Sequence, residues 1–203
     1  MAVLRRIWAS DENASNLATR RGRFFIAGVC LWVCAVWIAQ ATRPARAQSS
    51  PSEYEVKAAF LFNFAKFVEW PEDAFSDSSS PIIICIVGHD PFNGVLDQTI
   101  GGKTVNSRPL VIKRLAYGQD ARGCHIIFVC SSEKKRMAQI LASFSGTSAL
   151  TVSDMDDFAQ AGGMINFVLE NSKVRFQINS TAAARARLRI SSKLLTLARK
   201  VIQ

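Results

Sequence analysis

Few residues in this 203-residue chain are of a type that does chemistry. There are two histidines, His89 and His125, an acidic trio, Asp154, Asp156 and Asp157, five cysteines, and one run, Gly101-Gly102-Lys103-Thr104, that ends like a phosphate loop. A phosphate loop needs an earlier glycine so that consecutive backbone amides can turn inward. Leu96 stands at that position, so the run reads as a turn. Nucleophilic catalysis needs a serine or cysteine beside a base, and neither histidine has such a neighbour in a recognisable setting. The acidic trio sits where a helix start favours negative charge. No pair of cysteines has metal-ligand or redox-motif spacing, and no cofactor is expected. An exported hydrolase is therefore the weakest reading, and binding is the stronger one.

A binding site has more support. Three apolar runs end in polar turns, Gly88-His89-Asp90-Pro91, Ser131-Ser132 and Ser153-Asp154. In a parallel sheet such ends gather along one edge, where small ligands settle and helix N-termini favour anions. Gly88, Asp90, Ser131 and Ser153 are thus candidates for a small-ligand pocket. Ordinary helix capping explains the same residues equally well.

The elements that position these ends follow from periodicity. A first helix is predicted from Glu53 to Trp70, stopped by Pro71. Then come a strand Ile82 to Val87, a short helix Pro91 to Thr99, strands Pro109 to Arg114 and Cys124 to Val129, a helix Ser132 to Phe144 and a strand Ala149 to Val152. Asp77 to Pro81 is the one linker-like loop. This order predicts an α/β single domain with a mostly parallel central sheet and flanking helices. A β-hairpin and a C-terminal helix, from Ser180 or Thr181 to about Val201, close it.

The hairpin is the most explicit part of the sequence. In GGMINFVLENSKVRFQIN, from Gly162 to Asn179, two alternating runs flank Asn171-Ser172, a pair suited to a two-residue turn. Glu170 then opposes Lys173. Leu169 meets Val174, Phe167 meets Phe176 and Ile165 meets Ile178 on a predicted core face. Asn166 opposite Gln177 and Val168 opposite Arg175 form the other face, expected to be free for a partner. Phe62 is a further candidate contact, because it shares the side of the first helix with Glu55, Lys66 and Glu69; its alternative is cover by another element. Arg187 falls in the apolar arc of the predicted last helix, so its charge must be paired or reach water along its own stem.

Residues 1–47 read as a cleaved signal peptide. Arg20, Arg21 and Arg23 precede an apolar run from Phe24 to Ala39, and Ala45-Arg46-Ala47 supplies small residues for cleavage. An uncleaved anchor, a lipoprotein or twin-arginine export are the alternatives. From Gln48 onward 18 basic residues face 14 acidic ones, a net +4 in place of +9 for the whole chain. That weakens any nucleic-acid reading. The remaining basic bias lies at the end: from Lys173 there are eight Lys or Arg and no acid. The 156 residues 48–203 suffice for one hydrophobic core. They hold Cys85, Cys124 and Cys130. Neighbouring strands can bring Cys85 to Cys124, while a buried free thiol is the equally simple state for each.

The chain resembles the YfiR family of exported bacterial proteins. The match runs through Glu55-Val56-Lys57-Ala58-Ala59-Phe60-Leu61-Phe62-Asn63-Phe64-Ala65-Lys66-Phe67-Val68-Glu69-Trp70-Pro71, then Ile86-Val87-Gly88 with Asp90-Pro91-Phe92, and Leu150-Thr151-Val152-Ser153-Asp154. It continues through the hairpin into Ile190-Ser191-Ser192-Lys193-Leu194-Leu195. The resemblance implies a non-catalytic periplasmic regulator, dimeric, that binds the periplasmic domain of an inner-membrane diguanylate cyclase or similar sensor and represses it, lowering cyclic-di-GMP and biofilm formation. It also implies a disulfide between Cys85 and Cys124. A second pair implied by the resemblance has no counterpart, since Cys130 is the only other cysteine after residue 47. Phe62, Asn166, Arg175 and Gln177 are the expected partner surface. The rival is a periplasmic small-ligand-binding protein using the strand-end pocket.

Overall fold

The computed structural model describes residues 51–203, so the predicted signal peptide and Cys30 and Cys34 lie outside the described residues. None of the described helices is long and apolar enough to cross a membrane. Ser52 opens α1 (Glu53–Phe67). Its hydroxyl accepts from the Glu55 amide while the Glu55 carboxylate accepts from the Ser52 amide, a reciprocal arrangement that satisfies two donors left free at a helix start. The helix stops at Phe67, short of the expected Trp70, because Val68–Glu69 becomes β1 and pairs with a strand far along the chain.

After a 3-10 turn at Glu72–Ala74 come β2 (Ile82–Val87), α2 (Val95–Ile100), β3 (Thr104–Val105), β4 (Arg108–Leu115) and β5 (Ile126–Val129). A 3-10 segment, Ser131–Arg136, leads into α3 (Met137–Ser143), β6 (Leu150–Ser153), β7 (Ile165–Glu170) and β8 (Lys173–Asn179). The short helix thus begins at Val95 where Pro91 is expected, and the first part of the predicted Ser132–Phe144 helix, as far as Arg136, is 3-10. Asn106-Ser107, both at positive φ, turn β3 back onto β4, the geometry of a tight hairpin turn.

The last helix of the sequence reading does not form as one piece. Instead there are α4 (Ser180–Arg185), β9 (Arg189–Ile190), α5 (Ser192–Leu197) and β10 (Lys200–Ile202). Arg187 takes a left-handed conformation, with φ 59°. The Leu188 amide donates to the Ala183 carbonyl and the Arg187 amide to that of Ala184, the bonding that ends a helix at a left-handed residue. Arg187 therefore never enters an apolar helix face: it is exposed and pairs with Asp73 at 2.9 Å. Ile190 and Arg189 pair with Val68 and Glu69. Ser191 then caps α5, accepting from Leu194, and Lys200–Ile202 runs parallel beside Gln177–Asn179. Strand partners supplied by distant chain override an amphipathic pattern that also suits a helix.

The main sheet has the order β10-β8-β7-β6-β5-β2-β4-β3. β4, β2, β5, β6 and β7 are mutually parallel, and β8 returns antiparallel to β7. The hairpin register is as expected at all six pairs from Ile165↔Ile178 to Glu170↔Lys173. One sheet face, with Ile84, Ile86, Phe128, Val152, Ile165 and Ile178, packs with Ala58, Leu61 and Phe64 of α1 and with Leu188 and Leu194. Phe64 lies 5.7 Å from Phe167 and 5.4 Å from Phe176, between ring centres. The other face, with Val87, Ile127 and Val129, packs with Ile140, Met155 and Phe158. Burial on both faces is what a mostly parallel sheet requires.

Candidate functional site

The carboxyl ends of the parallel strands do gather Gly88, Asp90, Ser131, Ser153 and Asp154. Their polar atoms are mostly taken by the fold. Asp90 accepts from the Phe92 amide at 2.8 Å and from Arg114 at 2.7 Å. The Ser153 hydroxyl, fully buried, donates to the Val129 carbonyl and accepts from the Met155 amide. The His89 amide donates to Ser132 Oγ, and Gly88, at φ 101°, has Ser132 and Glu133 so close that a Cβ there would collide. Ser131 is exposed.

Over these ends lies the first turn of α1. Tyr54 packs edge-on against Phe92, 5.4 Å between ring centres, and donates its hydroxyl hydrogen bond to Asp154 Oδ2 at 3.0 Å. Lys57, only 4% exposed, reaches the same oxygen at 2.6 Å and also pairs with Glu53. A buried ammonium is sustained only by such partners. Burial, and then the Asp154 charge, pushes the Tyr54 phenol above its ordinary range. Cys130 lies beneath, its thiol pushed up to about 12 by burial and by Asp90, Asp154 and Glu133. It is a thiol at neutral pH, not a nucleophile.

His125 is equally structural. Its ring stacks on Phe75 at 4.4 Å, and burial lowers its affinity for a proton. Lys103, from the phosphate-loop-like run, sits 4.6 Å from the Phe62 ring centre. Phe62 is half-buried, with Lys66 on it as well.

The expected partner surface is rearranged. Asn166 is 2% exposed, and its Nδ2 donates to the carbonyls of Met155 at 2.8 Å and Phe167 at 2.9 Å. Gln177 is buried too. The expectation that this hairpin face stands open is thus corrected for both: the Asp154–Gly163 loop covers it, as the second layer of a two-sided sheet must. Arg175 is exposed. Phe62, beside Lys103 ahead of β3, and Arg175, on β8, belong to opposite flanks of the sheet, so they do not form one patch. Leu169, expected in the core, is 61% exposed. The cause is length: β6 reaches β7 only at Ile165 and Asn166, and β10 reaches β8 only at Gln177 to Asn179. The rest of the hairpin is an arm with no strand on either side. No pattern within the hairpin itself carries that information.

Cys85 and Cys124 form a disulfide with Cα atoms 5.9 Å apart, and Cys130 is free.

Two clefts flank these features. One, about 370 Å³, runs between Glu53 and Lys57 of α1, the acidic trio, and the hairpin residues Asn166 to Leu169, Val174 and Gln177. The other, about 490 Å³, lies at the amino ends of the strands by Cys124 and His125. Its charged residues are consumed in the pairs Asp120–Arg122 and Asp73–Arg187.

A family model described as YfiR/HmsC-like matches residues 54–199. Among solved structures, the chain is similar to a conserved domain protein from Vibrio cholerae O1 biovar El Tor strain N16961, with a TM-score of 0.50 and 12% identity over 75% of this chain. The match spans 61% of that protein's chain, and the likeness is one of fold.

Proposed function

The chain belongs to the YfiR/HmsC-like family, and from that membership we propose that it is a non-catalytic periplasmic regulator of a membrane-bound sensor. It binds the sensor's periplasmic domain, a diguanylate cyclase's or a similar one's, and holds it inactive, so lowering cyclic-di-GMP signalling and biofilm formation. It works as a homodimer exported through a cleaved leader. The observation that carries this reading is the unsupported hairpin arm. Leu169 at 61% exposure, half-buried Val168 and Val174, and exposed Arg175 and Lys173 make an apolar and basic projection. Adjoining apolar side chains on an exposed arm, rimmed by charge, suit cover by another protein. Regulation then needs no chemistry, only tighter binding to the inactive sensor than to the active one.

The test is to measure affinity for the sensor's periplasmic domain, and cellular cyclic-di-GMP, with Leu169→Glu and Arg175→Glu. Binding should weaken by about tenfold or more for each, cyclic-di-GMP should rise, and the melting temperature should stay put. Unchanged affinity and unchanged cyclic-di-GMP for both variants would move the contact elsewhere; Phe62→Ala then examines the opposite flank.

A further inference from the structure

We propose that the outer side of α1 and α5 rests on an anionic lipid surface, through a stripe in which lysines alternate with apolar side chains: Lys103, Phe62, Lys66, Phe67, Lys193 and Leu197. Three separate pieces of chain build it. The Lys103 ammonium, from the turn before β3, lies 4.6 Å from the centre of the Phe62 ring. Lys66 of α1 reaches both rings, 5.6 Å from the centre of Phe62 and 5.8 Å from that of Phe67. Lys193 of α5 continues the series, 5.1 Å from Phe67. Leu197 stands one helical turn beyond Lys193 on the same side of α5 and is 56% exposed, while Leu194 faces the core.

The first support is uncompensated charge. Lys66, Lys103 and Lys193 are all exposed, and none of them pairs with a carboxylate: the lysine ion pairs among the described residues belong to Lys57 and Lys134. The acids on this side of α1 are engaged elsewhere, since Glu55 accepts from the Ser52 amide and Glu69 pairs with Arg189. Exposed ammoniums ordinarily spread apart. Here the attraction between an ammonium and a ring face gathers three of them around two neighbouring rings. The half-buried rings pack against the core, so they hold the lysine heads in place and reduce the freedom lost when an anionic partner binds.

The second support is shape. None of the six residues lines either cleft described above; the stripe is the outward side of helices that cover one face of the sheet. An acidic protein would be expected to meet a pocket for an anchoring side chain, and no such recess is present here. Unpaired lysines beside one protruding leucine are instead the combination that holds a protein at a lipid surface, the ammoniums on the phosphates and the alkyl group between headgroups.

This contact rests on the export proposed above but needs no sensor, so the two readings fail separately. It is tested by flotation of the mature protein with phosphatidylcholine vesicles that contain phosphatidylglycerol, and with vesicles of phosphatidylcholine alone. The expected result is binding to the anionic vesicles only, weakening as salt is raised. Each lysine contributes about fivefold near such a surface, so Lys66→Gln with Lys193→Gln should reduce binding about tenfold or more. Leu197→Ser should reduce it too, at an unchanged melting temperature. Lys113, level with Cys85 on the other face of the sheet, and Lys135, ahead of α3, are also exposed. Lys113→Gln with Lys135→Gln removes the same charge from that side and should leave binding nearly unchanged. The proposal is overturned if the anionic vesicles bind no better than the neutral ones, or if the two pairs of substitutions weaken binding equally, which would reduce the effect to net charge. Loss of sensor binding in the Lys66 and Lys193 variant, with no vesicle binding by the parent, would make the stripe a protein contact and overturn it as well.

Discussion

The backbone amide of Ile83 donates to Nδ1 of His125 at 3.1 Å, so that nitrogen must be the unprotonated one. The ring proton then sits on Nε2, which donates to the Ala74 carbonyl at 3.1 Å. Protonating Nδ1 would break the bond to Ile83 inside a buried, stacked site.

The consequence is acid sensitivity with a definite sign. Burial holds the His125 pKa in the folded protein below its ordinary 6.5. As pH falls through 6.5 the unfolded chain takes up a proton that the folded chain refuses, so stability drops until the lower folded-state value is passed. Melting temperatures measured between about pH 7.5 and 5.5 should fall more steeply for the parent than for His125→Gln. Parallel slopes would show that His125 is not the sensitive group.

The disulfide closes 39 residues of chain between Cys85 and Cys124. Chain entropy alone makes such a link worth about 4 kcal/mol. Cys85→Ser with Cys124→Ser should lose roughly 2 to 4 kcal/mol in denaturant unfolding. Thiol counting on residues 48–203, denatured without reductant, should find one free thiol, that of Cys130. Three would contradict the bridge.

Lys57 and Asp154 should show strong coupling. Lys57→Met strands a carboxylate that is only 10% exposed and should cost about 3 kcal/mol. Adding Asp154→Asn should restore much of that loss. Additive losses in the double-mutant cycle would mean that the two side chains act independently.

Within the hairpin, burial predicts opposite outcomes for neighbours. Phe176→Ala, at 1% exposure between Phe60 and Phe64, should lose about 3 to 5 kcal/mol. Leu169→Ser should change stability by less than about 0.5 kcal/mol. Asn166→Ala should lose about 1 to 3 kcal/mol, because the carbonyls of Met155 and Phe167 lose a donor. A large loss for Leu169→Ser would place it in the core after all.

Gly163 should be intolerant of a side chain. A Cβ there would stand 2.2 Å from the ring of Phe158, itself fully buried. Gly163→Ala should therefore cost about 1 to 3 kcal/mol in unfolding measurements, whereas exposed Gly118→Ala, which meets nothing within 4 Å, pays only for its φ of 84°.

Local rules were enough wherever the interaction is local. Alternation and the Asn171-Ser172 turn determined all six hairpin pairs, since a slip of one residue would reverse every side chain. Apolar runs bounded by turns determined the α/β order of the strands from Ile82–Val87 to Leu150–Ser153. Whether a polar face is open, by contrast, depends on what lies over it. Asn166 and Gln177 alternate like surface residues, yet a loop from Asp154 onward covers them; Leu169 alternates like a core residue, yet β6 ends too early to support it. The C-terminal segment shows the same limit. Ser180 to Val201 has a helical pattern, but Arg189–Ile190 and Lys200–Ile202 find strand partners in β1 and β8, and a pattern confined to one segment cannot register partners that lie outside it. The Gln177 cleft likewise exists only where α1, the acidic loop and the hairpin meet. The sequence by itself determined the central apolar strands and the hairpin register, through neighbouring side chains; tertiary structure alone decided which faces meet solvent and how the C-terminal segment is divided, because both are properties of packing between separate segments.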